Sequence, residues 1–178
     1  MILKHKFEKE VLPQMIKEFA IGNKLAAPKI VKVVLNVGLG RILGDKEMTE
    51  KIIQDITTIS GQKPVLTQAK SAIASFKIRQ GQKIGLKVTL RGKRMWDLLD
   101  RLVLIVLPRV RDFHGLDPKA VDQAGNLTIG IKEHIIFPEI SADNVKQIFG
   151  LEVCIVTTAK NRDKGLMIFK LLGFPIKS

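Results

Sequence analysis

One segment of this chain alternates apolar and polar residues with the two-residue period of a β-strand, and a second, rich in β-branched residues, places an all-apolar set on one side. In Ile84 to Arg91, the residues Ile84, Leu86, Val88 and Leu90 share one face, while Gly85, Lys87, Thr89 and Arg91 share the other. In Lys29 to Val37, the apolar set is Val31, Val33, Leu35 and Val37, with Lys32 and Asn36 pointing the opposite way. A one-residue slip in pairing would turn either apolar set into water, so such strands hold their register firmly. They call for a sheet that is dry on one side and wet on the other, and the dry side needs a second layer to cover it.

Helical patterns supply that layer. Phe7, Val11, Leu12, Met15, Ile16 and Phe19 recur at helical spacing before Gly22-Asn23. Pro13 interrupts them, so either the helix kinks there or its regular part starts near it. Asp45 is placed to cap a second helix with the stripe Met48, Ile52, Ile53, Ile56 and Ile59, and Gly61 suits the left-handed position after it. A third runs over Met95, Leu98, Leu99, Leu102 and Ile105 to a stop at Pro108. A fourth spans Lys164 to Leu172, before Gly173 and Pro175. Further strands are expected at Val65 to Thr67, Leu127 to Ile131 and Leu151 to Thr158. Ile135 to Ile140 reads as an extended edge or loop, and Asp143 to Phe149 as a short helix. Gln68 to Lys83 reads as a long polar loop. The predicted fold is α+β: an antiparallel-rich sheet with helices packed on one face and a long basic loop, residues 1–178 forming a single domain.

The chain carries 30 Lys and Arg against 17 Asp and Glu, a formal charge of +13. A folded domain this basic repels itself, which points to a polyanionic partner, with nucleic acid favoured over an anionic membrane surface. From Ile56 to Trp96 there is no acid at all, yet nine basic residues: Lys63, Lys70, Lys77, Arg79, Lys83, Lys87, Arg91, Lys93 and Arg94. A merely solvated face mixes both signs, whereas single-sign clustering suits phosphates. The basic excess lies on strands and a loop rather than on the polar face of an amphipathic helix, which argues against membrane binding. No stretch approaches the length of a spanning helix. Cys154 is the sole cysteine, so no intrachain disulfide forms; a soluble, cytoplasmic protein is expected, with Cys154 a small buried hydrophobe.

Enzymatic motifs are weak. Gly38, Gly40 and Gly44 are spaced GxGxxxG rather than as a dinucleotide fingerprint, and no Walker lysine pattern exists. His5, His114 and His134 have no ligand spacing with Cys154, so no metal, cofactor or catalytic residue is expected. Asp112 and His114 suit a loop salt bridge, and Asp97 and Asp100 suit ion pairs with Arg94 and Arg101. With no Tyr, one Trp and eight Phe mostly in apolar patterns, there is little platform for stacking successive single-stranded bases. Structured RNA, read through its backbone and shape, fits better.

These residues also carry a family resemblance. Leu35-Asn36-Val37-Gly38, Ile59-Ser60-Gly61-Gln62-Lys63-Pro64, Phe76 through Gly81, and Lys87-Val88-Thr89-Leu90-Arg91-Gly92 with Arg94-Met95-Trp96 are similar to segments of large-subunit ribosomal protein number five, in its bacterial form. Pro108-Arg109-Val110-Arg111-Asp112-Phe113, Ile135-Ile136-Phe137-Pro138-Glu139-Ile140 and Thr157-Thr158-Ala159-Lys160 continue the likeness nearly end to end. The resemblance implies a structural protein of the central protuberance that binds 5S rRNA and links it to large-subunit rRNA, among other 5S-binding ribosomal proteins. It implies 5S contacts at Asn36, Gln62 and Thr89, to which the strand faces and charge map add Lys32, Lys63, Lys87 and Arg91. The loop with Lys70, Lys77, Arg79, Gln80 and Lys83 is similar to the family's arm toward peptidyl-site tRNA, and the Arg109 to Gly115 region to its bridge with a small-subunit head protein. Gln68 and Ser71 stand where the family more often has basic residues, and Pro13 is atypical.

Overall fold

A computed structural model of the chain describes residues 1–42, 45–76, 78–141, 145 and 147–177. Five strands, β1 (Ile30–Gly38), β2 (Val65–Gln68), β3 (Lys83–Leu90), β4 (Leu127–Ile131) and β5 (Leu151–Thr157), form one sheet in the order β2-β3-β1-β5-β4. Every neighbouring pair is antiparallel. Among the described residues four helices, α1 (residues 2–18), α2 (Lys46–Ser60), α3 (residues 92–109) and α4 (Arg162–Leu172), join the inward strand residues in one hydrophobic core. The chain is α+β, as the alternation requires.

β1 is the middle strand, and its pairing with β5 shifts register between Ile30 and Lys32. That bulge puts Ile30 into the core and leaves Val31 38% exposed, so the inward set is Ile30, Val33, Leu35 and Val37. The expectation that Val31 faces inward is therefore corrected. Alternation cannot reveal an extra residue that only the neighbouring strand imposes.

The two prolines are handled alike. α1 passes through a π-turn at Phe7–Val11, where the Leu12 N–H reaches the Phe7 carbonyl, and Pro13 follows. α3 does the same at Leu102–Val106, where the Leu107 N–H reaches the Leu102 carbonyl, and Pro108 follows. Each proline, which has no N–H, thus stands where the ladder is already interrupted. The helix does not stop at Pro108; it ends at Arg109. The wide turn also aligns α1. Leu3, Phe7, Val11 and Met15 are all buried at a strict four-residue spacing. In a regular α-helix that spacing would rotate the stripe by about 120° over three steps, and one π-turn takes up a residue and brings it back to about 20°. Asp100 of α3 then receives the Ile2 N–H at 2.9 Å and the Leu3 N–H at 2.7 Å, satisfying the start of α1.

The ends of α2 follow the sequence. The Asp45 carboxylate accepts from the Met48 N–H at 2.9 Å, and Gly61 is left-handed with φ 67°. The long β4–β5 connection is latched to the helices. Arg101 pairs with Glu139 and donates to the Ile59 carbonyl at 3.0 Å. His134 is fully buried, stacked on Phe149 at 3.8 Å, with Nε2 3.7 Å from Asp55 of α2. His134–Ile136 is a 3-10 turn rather than an extended segment. The expected helix over Asp143 to Phe149 falls partly outside the described residues, and Gln147 to Phe149 are not helical. Arg101 and Asp100 therefore serve these tertiary contacts, and among the described residues no ion pair joins them to Asp97 or Arg94, or Asp112 to His114.

Burial pushes the His134 imidazole below its ordinary value of 6.5, outweighing the pull of Asp55, which Lys51 also faces at 3.8 Å. The Phe149 N–H donates to Nδ1 at 3.4 Å, so charging the ring would set two donors against each other. The unfolded chain takes up this proton before the folded chain does. Stability is thus complete above pH 6.5 and declines as pH falls through that value, at up to about 1.4 kcal/mol per pH unit. Denaturant titrations of wild type and His134→Gln over this range test it, because the variant's slope should be flatter. A second test concerns Gly165 of α4, where a Cβ would sit 2.5 Å from the Gly125 Cα. Gly165→Ala should lower stability by roughly 1–3 kcal/mol, read as a shift in denaturation midpoint.

Candidate nucleic-acid interface

The face of the sheet turned away from the helices is built from alternate strand residues. β1 contributes Lys32, Val34, Asn36 and Gly38; β3 contributes Gly85, Lys87 and Thr89, with Arg91 just beyond its end. Asn36 lies directly opposite Lys87, and Val34 opposite Thr89, so their side chains stand on the same side. Lys32 and Arg91 continue the pattern one step past the Val33–Leu90 pair. The structure thus brings together the five strand-borne or strand-end residues that the sequence singled out. Asn36, Lys87 and Arg91 are exposed; Lys32 and Thr89 are half-buried.

Gln62 and Lys63 sit in the turn between α2 and β2. The Ser60 hydroxyl bonds to the Ile56 and Gln62 carbonyls and accepts from the Gln62 N–H, fixing the turn. The Gln62 side chain then donates to the Thr89 carbonyl at 3.4 Å, while Arg94 donates to its Oε1 at 3.3 Å. Gln62 and Thr89 are 27 residues apart in sequence but adjacent in space. In the sequence Arg94 is one cation among nine in the acid-free run and opens the family-like segment Arg94-Met95-Trp96; its place against Gln62 depends on how α3 leaves β3.

The segment after β2 is not a shapeless loop. The Ala69 N–H donates to the Gln82 carbonyl at 2.9 Å, and Ile73 and Ile78 exchange N–H···O bonds at 2.9 and 3.1 Å. The result is a hairpin-like extension of β2 and β3, turned near Ala74–Phe76. Lys70, Arg79, Gln80 and Lys83 are exposed along it, whereas Lys77 lies outside the described residues. Phe76 is 69% exposed, an exception to the expectation that the Phe residues are core. Lys83 and Arg91 lie at opposite ends of β3, roughly 27 Å apart at a strand's rise per residue. The basic run therefore divides into a sheet face and an arm.

The rest of the outer face comes from β5 and β4. β5 offers Glu152, Cys154 and Val156; β4 offers Thr128 and Gly130. Cys154 is half-buried on this outer face, where the Thr128 hydroxyl approaches its sulfur at 3.6 Å, rather than enclosed in the core. Among the described residues, no group of three His, Cys, Asp or Glu could hold a metal ion, and no helix is long and apolar enough to cross a membrane.

A one-sided sheet with a basic, polar outer face and a projecting arm defines a structural nucleic-acid-binding scaffold. Comparison with known proteins makes this specific. Residues 23–79 match the family described as ribosomal protein L5, and residues 83–176 match the model of that ribosomal family's C-terminus. The chain is 47% identical over 175 residues to the large ribosomal subunit protein uL5 of Anaeromyxobacter sp. (strain Fw109-5), covering 98% of this chain and 97% of that one. The proteins of the same name from Halothermothrix orenii and Kosmotoga olearia are 45% and 49% identical, over 98% of this chain and 97% and 96% of theirs. The chain belongs to the ribosomal L5 family, in its bacterial form, and is a structural, non-enzymatic constituent of the large ribosomal subunit, with ribosomal RNA as its partner.

Proposed function

We propose that this protein holds 5S rRNA on the outer face of its sheet and links it to large-subunit rRNA in the central protuberance. The observation that carries the reading is the convergence of Asn36, Lys87 and Thr89 on one face with Gln62 pinned against Thr89. Lys32, Lys63, Lys87 and Arg91 supply charge for phosphates, and Asn36, Gln62 and Thr89 supply groups that bond sugar hydroxyls and base edges. The 178 residues act as a single unit in this role, since one core spans both family segments.

The arm serves a second RNA, the tRNA in the peptidyl site. Lys70, Lys77, Arg79, Gln80 and Lys83 give it charge and hydrogen-bonding capacity, and Phe76 adds an exposed aromatic face of the kind that stacks on a base. The Arg109 to Gly115 loop, which lines a cleft of about 480 Å³ with Lys132, Ile135 and Ile136, forms the bridge to a protein in the small-subunit head. Other 5S-binding ribosomal proteins are neighbours on the same RNA.

Binding titrations against 5S rRNA and an unrelated duplex, repeated across salt concentrations, test the platform. The 5S RNA should bind more tightly, and Asn36→Ala or Thr89→Ala should cost roughly 1–3 kcal/mol of that specific affinity. Equal affinity of the wild-type protein for both RNAs would overturn the reading. Lys77→Ala together with Arg79→Ala should leave isolated 5S binding nearly unchanged while weakening the association of tRNA with assembled ribosomes. A large loss of 5S binding in that variant would refute the division into platform and arm.

A further inference from the structure

Among the described residues, the five strands carry a single carboxylate, Glu152 of β5, and it stands on the outer face. It lies directly opposite Asn36, which lies directly opposite Lys87, so the three form one row across adjacent strands. On the other side its register partner is Gly130, where a Cβ would meet nothing within 4 Å, so no side chain walls off that flank. Among the described residues, no hydrogen bond or ion pair engages the side chain of Glu152, Asn36 or Lys87.

A carboxylate in the middle of a phosphate-facing surface opposes phosphate binding, because its charge repels what the neighbouring lysines attract. Its presence there is accounted for if it meets hydrogen-bond donors instead. RNA offers such donors on its bases, and a base in a loop or bulge can be splayed out to present its Watson–Crick edge. The two oxygens of a carboxylate match the adjacent N1–H and N2–H of guanine, and the neighbouring Asn36 amide can donate to guanine O6. Opposed residues on paired strands have Cβ atoms about 5 Å apart, close enough for one base edge to reach both.

We infer that Glu152 and Asn36 together form a base-reading site for an unpaired guanine of the bound RNA, with Glu152 determining specificity. The inference rests on the proposal that the outer face binds 5S rRNA, and deepens it. It also predicts an effect opposite in sign to simple electrostatics. Removing an acid from a polyanion-binding face should strengthen binding to every RNA, whereas removing a base acceptor should weaken binding only to the RNA whose base it reads.

The experiment compares wild type, Glu152→Gln and Glu152→Ala, each checked for an unchanged thermal transition, in titrations against 5S rRNA and an unrelated duplex at matched salt. Both variants should lose ~10-fold in affinity for 5S rRNA while binding the duplex as well as or better than wild type. Interference mapping of the 5S RNA with inosine, which lacks the N2 amino group, should mark at least one guanine with wild type and lose that mark with Glu152→Gln. If both RNAs bind the variants equally well or more tightly, or if no inosine position depends on Glu152, the inference fails while the platform proposal stands. If wild type itself shows no preference for 5S rRNA, both fail together.

Discussion

The central strand cannot show both of its faces to water or both to the core, and the molecule is organised around that division. β1 pairs with β3 on one side and β5 on the other, so its register is held twice. Val33, Leu35 and Val37 are nearly inaccessible beneath the helices, and the register then aligns Val88, Leu90, Val153 and Ile155 with them. Every polar group on the opposite face is placed by the same decision. Asn36 stands beside Lys87 because Leu35 must be dry, and a slip of one residue would undo the core and the polar outer face together.

The helices answer to this core rather than to ideal geometry. Two of the four depart from the α-helix for one turn ahead of a proline, and in α1 the departure keeps four large side chains on a single stripe. Burial of several such side chains outweighs the poorer hydrogen bonding of one wide turn. The β4–β5 connection is held by a different means, through buried or half-buried polar contacts of His134 with Asp55 and Glu139 with Arg101. Loss of either partner leaves the other enclosed in a poorly hydrated setting, which makes these contacts sensitive to substitution out of proportion to their number.

How far the sequence spoke depended on the range of the interaction. The alternation in Ile84 to Leu90, the Asp45 cap and the Gly61 stop are local, and each matches the structure to within a residue. Val31 does not, because its bulge arises from pairing with β5, near the far end of the chain. The stop read at Pro108 falls within one residue of the helix end at Arg109, but the π-turn before it was not legible, because it arises from packing rather than from a local signal. For the proposed RNA face, alternation singled out Asn36, Lys87 and Thr89, whereas Gln62 was named only through family likeness and its bond to Thr89 is seen only in the structure. The contact of Arg94 with Gln62 and the place of Glu152 beside Asn36 were not legible, for a sequence does not state that β5 lies next to β1 or that α3 returns over the α2–β2 turn.

The arrangement of β3 between the arm and the far edge of the platform has a mechanical consequence. A pull between its two ends runs along an already extended backbone, and the hydrogen bonds to β1 and β2, which lie across the strand, pass part of that load sideways to its neighbours. A ladder stressed in that direction shares tension among its bonds instead of opening one after another as a hairpin does when its ends are peeled apart. Molecules attached at opposite ends of this strand would be joined by a stiff tie rod, and a displacement at one end would reach the other with little lost to stretching.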